Sequence, residues 1–502
     1  MKEITKKIIL YELVLENFLD TNQSGFGDFN GVLSKIDYFK KLGINIVAIE
    51  DILKQYENSF DLSIIKNKFG SIKDYVNLIK VFQQNKIKIA PIINLKKIKQ
   101  SYINWNNMMG LYNLNEKDNE QYLTKLDPYL INEEIDENSL YEISNFIKYF
   151  ESILDFYLRL NTDAIILDNF EFLAFESLKE DEKLKFIKDI YKIIKTKKPT
   201  MTVIFKTDNN NFGFYNKMLK QESKCFDYLY LTWISKIGNN EIVKDLNKKQ
   251  LNFKGICNFL NLFNKSPNII ITFGSNLSGR FISKWGSENS YFYESAKTFF
   301  MMLYSGNNSI GIYYGDEIGT LRAKVEKNFN FNNEDYNEEK RFFESKNISI
   351  EEFFIHNNYF NKWSSYTQMA WDDKEINNKN KNKNFFRSIK YKENNVEKQL
   401  KNSDSIINFV LFLNNLTFNS KYKMFFENAK TIMQFKNGVF YIKKNLLHKK
   451  IVFVINLSKK HKRILGLNNF SILSSSYANK FYSELPKELS PFESIILLNE
   501  DN

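Results

Sequence analysis

The sequence predicts an α/β fold: a (β/α)8 TIM barrel, with a shortened insertion after strand 3 and a C-terminal antiparallel β-sandwich. Three observations predict it. Eight short β-branched or aromatic runs are spread over residues 7–314, and they are continuously apolar, as strands covered on both faces of a parallel sheet are. Most of them are separated by stretches with helical spacing, and eight such units make a closed barrel. Beyond residue 420 or so the pattern changes to short alternating strands with turn residues between them, as in a sandwich.

The first run is KIILYELVL (7–15), followed by the helical VLSKIDYFKKLG (32–43) and the second run, INIVAIED (44–51). The third, IKIAPIINL (87–95), leads into a polar, irregular insertion at 98–133. DAIILD (163–168) is the fourth, and the long helical SLKEDEKLKFIKDIYKIIKT separates it from TVIFKT (202–207). FDYLYLTW (226–233), NIIITF (268–273) and SIGIYY (309–314) complete the set. An Asn/Lys/Glu-rich excursion follows at 320–395 and includes NNKNKNKN. MQFKNGVFYI, KKIVFVINL and ESIILL supply the strands of the sandwich. The expected division is 1–97 for the first part of the barrel, 98–133 for the insertion, 134–410 for the second part of the barrel and 411–502 for the sandwich.

At 502 residues and 43% apolar content, the chain can bury a sizeable core. Its two cysteines, Cys225 and Cys257, make neither a disulfide framework nor a metal cluster, so a cytoplasmic location is expected. No apolar run is long enough for a transmembrane segment, and two acids interrupt the apolar part of the first twenty residues, unlike a signal peptide. The net charge of +12 favours anionic partners, but the lysines are scattered and no nucleic-acid-binding motif accompanies them, so no nucleic acid is expected.

With the strands placed, the segments between them can be compared. FLDTNQSGFGDFNGVLSKIDYFKKLGIN (18–45), NSFDLS (58–63), FGSIKDY (69–75), YYGDEIG (313–319), TQMAWDD (367–373) and YKENNVEKQLKNSDSIINF (391–409) run in collinear order. Together they resemble the α-amylase superfamily of glycoside hydrolases, in its oligo-1,6-glucosidase and trehalose-6-phosphate hydrolase branch. The resemblance implies the same barrel, insertion and sandwich, with the insertion here cut to about half the family's length.

It also implies a site. Family members are retaining glycosidases, in which two carboxyl groups about 5–5.5 Å apart act as nucleophile and acid/base. Asp168 matches the nucleophile position. The family arginine two residues before it is Ile166, and the acid/base glutamate after strand 5 is matched by Phe205. In SNLSGR, Asn276 and Leu277 stand for the family histidine and third carboxylate, while Arg280 is kept. Asp61 matches a substrate-binding aspartate, and the other family histidine falls near Lys97. The three histidines, His356, His448 and His461, all lie after the eighth strand, so none is left for a barrel mouth. In the calcium-like loop, Asp20, Asn22, the backbone oxygen of Phe26 and Asp28 keep their places while Ser24 replaces a central carboxylate. Fewer charged ligands imply weak Ca²⁺ or Mg²⁺ binding there or none, and no other cofactor.

Without its acid, arginine and histidines, Asp168 reads as an orphan that satisfies a turn or caps a helix. The expectation is a catalytically inactive α-glucosidase-like protein, not an enzyme, that works through a protein partner or as a homo-oligomer, with the exposed 374–395 stretch as a docking segment. Two alternatives stay open. One is a glycoside hydrolase with relocated catalytic groups, Asp208 being a candidate acid; the other is a carbohydrate-binding module without turnover. Trp233, Trp285 and Trp371 could stack on sugars, though packing suits each of them better.

Overall fold

The strands form where the apolar runs predict them. The computed structural model describes residues 6–50, 52–53, 65–96, 98, 139–172, 179–221, 224–237, 252–263, 265–323, 334–374, 387–464, 466–467, 469–477 and 484–499. Asp61, Lys97, nearly all of the 98–133 insertion and the NNKNKNKN tract lie outside the described residues.

The barrel strands are β1 (Ile9–Leu13), β2 (Ile46–Glu50), β3 (Lys88–Asn94), β4 (Ala164–Asp168), β5 (Thr202–Thr207), β6 (Tyr228–Leu231), β7 (Ile269–Ile271) and β8 (Ser309–Tyr313). They pair in sequence order, all parallel, and β8 closes the barrel on β1. The helices used below are α1 (Phe29–Leu33), α2 (Ile36–Lys41), α3 (Ile72–Gln84), α4 (Ser139–Arg159), α5 (Glu180–Lys197), α6 (Phe212–Leu219), α7 (Phe253–Phe263), α8 (Phe292–Tyr304) and α9 (Ile406–Phe418). Helix α3 starts at a capping box, in which Ser71 and Asp74 satisfy each other's backbone amides. It buries Tyr75, Leu78, Ile79 and Phe82 at helical spacing.

Strand pleat sorts the barrel side chains. Leu10, Ala48, Ile92, Ile166, Ile204, Tyr230 and Ile270 fill the interior as one apolar cluster. Their neighbours in sequence, among them Tyr11, Ile49, Leu167, Phe205 and Ile271, point outward into the helix layer.

The C-terminal part is a five-stranded antiparallel sheet in the order β13 (Ser471–Ser475), β15 (Ser494–Asn499), β11 (Lys449–Ile455), β10 (Val439–Leu446), β9 (Lys430–Lys436). A two-stranded ribbon, β12 (Lys462–Arg463) with β14 (Glu488–Leu489), accompanies it. One face of the sheet, with Val439, Tyr441, Val452, Val454, Ile495 and Leu497, shares a core with Leu489 of the ribbon. The other face, with Phe440, Ile442, Ile451 and Phe453, belongs to the same core as the barrel helices. Among the described residues, no helix is long and apolar enough to cross a membrane.

Candidate active site at the barrel mouth

Above the apolar interior, the next inward-facing positions are polar. Asp168 is the last residue of β4, and its register partner on β5 is Lys206, not Phe205. Lys206 is fully buried and donates to Glu12 Oε1 of β1 at 2.7 Å; its Nζ lies 3.9 Å from Asp168 Oδ2 and 5.7 Å from the Tyr230 ring centre. Asp168 Oδ1 accepts from the backbone amide of Asn169 at 2.9 Å, and 12% of the Asp168 side chain stays open to solvent. Asn169 turns through a left-handed conformation with φ 55°, which an asparagine tolerates.

Beyond Asp168, the chain winds into the 3₁₀ turn Phe170–Phe172. Glu171 on that turn accepts from the Tyr215 hydroxyl of α6 at 2.5 Å and from the Thr207 hydroxyl. Just after β5, Asp208 pairs with Lys236 at 2.6 Å.

Burial pushes the Asp168 carboxyl above its ordinary range; Lys206 opposes the shift, and the charges of Glu12 and Asp208 add to it. Burial also raises Glu171, against the hydrogen bonds from Thr207 and Tyr215. Burial alone would lower Lys206, but Glu12 and Asp168 outweigh it and hold the ammonium above its usual value. The mouth therefore holds Asp168, a carboxyl that binds protons more readily than a free one, beside a fixed cation; Glu171, raised likewise, sits on the following turn against Thr207 and Tyr215.

The other expected site residues divide by position. Ile166 lies in the barrel interior, one pleat below Asp168. Phe205 lies on the opposite face of β5, packed edge-on against Phe170 with ring centres 5.1 Å apart, so it does not line the mouth. Asn276 and Leu277 are half-buried on the loop after β7, and the Leu277 amide donates to Ser275 Oγ. Arg280 is 1% exposed; it donates to the Tyr314 carbonyl (2.6 Å), Asp316 (3.2 Å) and Thr367 (2.9 Å), so it braces these loops. Trp371 donates to the Phe18 carbonyl and packs edge-on against Phe18 and Tyr38. Trp233 packs against Phe212 and Phe259, and Trp285 against Phe273 and Phe299.

The N-terminal loop satisfies itself in this geometry. Asp20 accepts from the amides of Ser24 and Gly25, Asn22 from that of Ser24, and the Phe26 carbonyl from the Ser24 hydroxyl. Asp28 accepts from Thr21 and caps α1 through the Gly31 amide. The oxygens that a hard cation would use are held by donors of the loop, and Ser24 brings no charge.

Lys206, Glu12 and Glu171 escaped the sequence reading. The signal was there: in the buried runs KIILYELVL and TVIFKT, a single charged residue interrupts apolar residues at an inward pleat. Counting by twos from Ile204 reaches Lys206 and passes over Phe205.

The family model described as "Alpha amylase, catalytic domain" matches residues 13–94 and 174–422. An oligo-1,6-glucosidase of Bacillus cereus is 30% identical over 93 residues, which are 18% of this chain and 17% of that protein. A glucan 1,6-alpha-glucosidase of Streptococcus pneumoniae is 24% identical over 458 residues, covering 79% of this chain and 81% of that one. The crystal structure of Bacillus licheniformis trehalose-6-phosphate hydrolase superposes with a TM-score of 0.78 at 15% identity, over 99% of both chains.

These matches correct the expectation that the chain is not an enzyme: the relatives are named as a glucosidase, a glucan glucosidase and, for one of Bacillus subtilis that is 28% identical over 90 residues, a trehalose-6-phosphate hydrolase. The physical reason lies in the pleat. Phe205 faces the helices, so its apolarity says nothing about the mouth, where Asp168 still stands.

Proposed function

Because the chain belongs to the alpha-amylase catalytic-domain family, we propose that it is an α-glucosidase-type glycoside hydrolase whose proton donor has moved onto the turn after β4. Asp168 is the nucleophile and Glu171 the acid. In this scheme an Asp168 oxygen attacks the anomeric carbon as the glycosidic bond breaks, and the departing oxygen takes the Glu171 proton. Water then cleaves the glycosyl ester, returning a proton to Glu171. The observation that carries the reading is Glu171: a buried carboxyl with a raised affinity for protons, three residues from the strand-end carboxylate. A general acid has to hold its proton near neutral pH, and burial is the usual way to arrange that.

The substrate class inferred from the relatives is a short α-glucoside. Catalysis by two carboxyls requires no cofactor. The two buried thiols suit a reducing, cytoplasmic setting. The basic surface suits association with an acidic protein or a second copy, which light scattering at low and moderate salt measures.

The test is turnover of maltose, isomaltose, trehalose-6-phosphate and a nitrophenyl α-glucoside. Asp168→Asn should abolish turnover of all of them. Glu171→Gln should lower kcat roughly 10²–10⁴-fold on the disaccharides. It should lower it much less on the nitrophenyl glucoside, whose phenolate leaves without a proton. Rates equal to those of Asp168→Asn for the wild type on every substrate would refute the proposal, and saturable sugar binding in their place would mark a binding module.

A further inference from the structure

The cation that served Asp168 in the family is missing at Ile166, yet another lies across the strand pair. We propose that Lys206 of β5 is the positioning residue for Asp168, with Glu12 of β1 setting how much of its charge Asp168 receives. The inference rests on the assignment of Asp168 as nucleophile. Three observations support it.

First, Lys206 and Asp168 are register partners on adjacent parallel strands, so the backbone fixes their approach. Second, the ammonium is wholly buried and shared unequally: 2.7 Å from Glu12 Oε1 and 3.9 Å from Asp168 Oδ2. One cation between two carboxylates leaves the cluster short of positive charge, and the less engaged carboxylate is the one that keeps contact with solvent. Third, the Lys206 ammonium engages Glu12 through Oε1, and the Tyr230 hydroxyl is a neutral partner of the same carboxylate, so the positive charge that Glu12 draws comes from Lys206.

The charged and titratable groups around the pair are Glu12 on β1, Glu50 on β2, Tyr230 on β6, and Asp208 just after β5. Asn94 on β3 is the register partner on the other side of Asp168. Lys206 is the cation that acts on Asp168 directly. A buried opposite charge a few ångströms away typically lowers a carboxyl pKa by about 1–3 units. Two substitutions should therefore move Asp168 in opposite directions. Lys206→Met removes the cation and raises the Asp168 midpoint. Glu12→Gln removes the competitor, frees Lys206 for Asp168 and lowers it.

The readout is carboxyl ¹³C NMR of Asp-labelled protein, with Asp168→Asn for assignment, so it does not depend on turnover. Lys206→Met should shift the midpoint up by roughly one unit or more, and Glu12→Gln should shift it down. The acid limb of kcat should move with the midpoint while KM changes little, and Lys206→Arg should restore both. If Lys206→Met does not fold, the downward shift in Glu12→Gln decides alone. Midpoints unchanged from wild type in the folded variants overturn the proposal. Opposite shifts in a wild-type protein that turns over no glucoside support the pairing and overturn the glucosidase reading instead.

Discussion

Asp168 is legible from its own short stretch of sequence. A buried apolar run that stops at a carboxylate puts that carboxylate at the carboxy-terminal end of a barrel strand, where active sites lie. What surrounds it was not legible, because its partners Glu12 and Lys206 come from strands far away in sequence and a one-residue slip on β5 exchanges inside for outside. On the proposed assignment, the raised affinities of Asp168 and Glu171 set the expected pH profile. The nucleophile must be ionised, so rate falls as pH drops through the raised Asp168 midpoint. The acid must be protonated, so rate falls as pH rises through the raised Glu171 midpoint. A bell displaced to higher pH than two free carboxyls would give is the expected outcome for kcat on a disaccharide. The bell should lose its alkaline limb in Glu171→Gln. Lys7 offers a separate, structural check. Burial lowers it to about 7, whereas the unfolded chain keeps the proton up to 10.5. Between those values the unfolded state binds more protons, so stability from this group rises with pH across the window. Lys7→Met should therefore raise Tm more at pH 6 than at pH 9, by differential scanning fluorimetry.

At the scale of elements, the strands were legible because continuous β-branched runs have few other homes. Their ends were not: β7 is only Ile269–Ile271, shorter than NIIITF, because the residues beyond it turn into the loop that carries Arg280. The loop before α1 is set by close packing. A Cβ on Gly31 would collide with the Leu19 carbonyl, and one on Gly27 with that of Leu15. Gly31→Ala should then cost about 1–3 kcal/mol in urea denaturation, as overpacking does. Asp28→Ala loses the cap of α1 and the anchor of Thr21 together. It should cost at least about 1 kcal/mol, the usual value for one cap. For the cation, we expect millimolar Ca²⁺ to leave Tm of the wild type nearly unchanged, since Asp20 and Asp28 already accept hydrogen bonds from the loop. A strong rise in Tm that Asp20→Ala removes would show a competent site.

At the scale of the whole molecule, the barrel and the sandwich share a core. Thr298 of α8 donates to the Phe492 carbonyl at 2.6 Å, Asn261 of α7 donates to the Met433 carbonyl of β9 at 2.9 Å, and Asn307, just before β8, donates to the Ala429 carbonyl at 2.9 Å. Lys444 of β10 reaches back to Asn307 and Thr431, and its ammonium and that of Lys7 both sit about the Phe426 ring, at 5.2 and 5.4 Å. Calorimetry should accordingly show one cooperative transition for both parts. Two separable transitions would mean the shared core is not a thermodynamic unit. The sequence marked the two parts but could not show this union, because alternating strands reveal that one face is buried without saying against what. The union also sets a timetable. Strand β1 is synthesised about 300 residues ahead of its neighbour β8, and Phe426, whose ring faces the Lys7 ammonium, follows later still. At about 5–20 residues per second, the first strand waits for tens of seconds before either contact exists. For that time an apolar edge and a charged lysine that is later stripped of water stand open, so the yield of folded protein should depend on the chaperones that shelter the nascent chain.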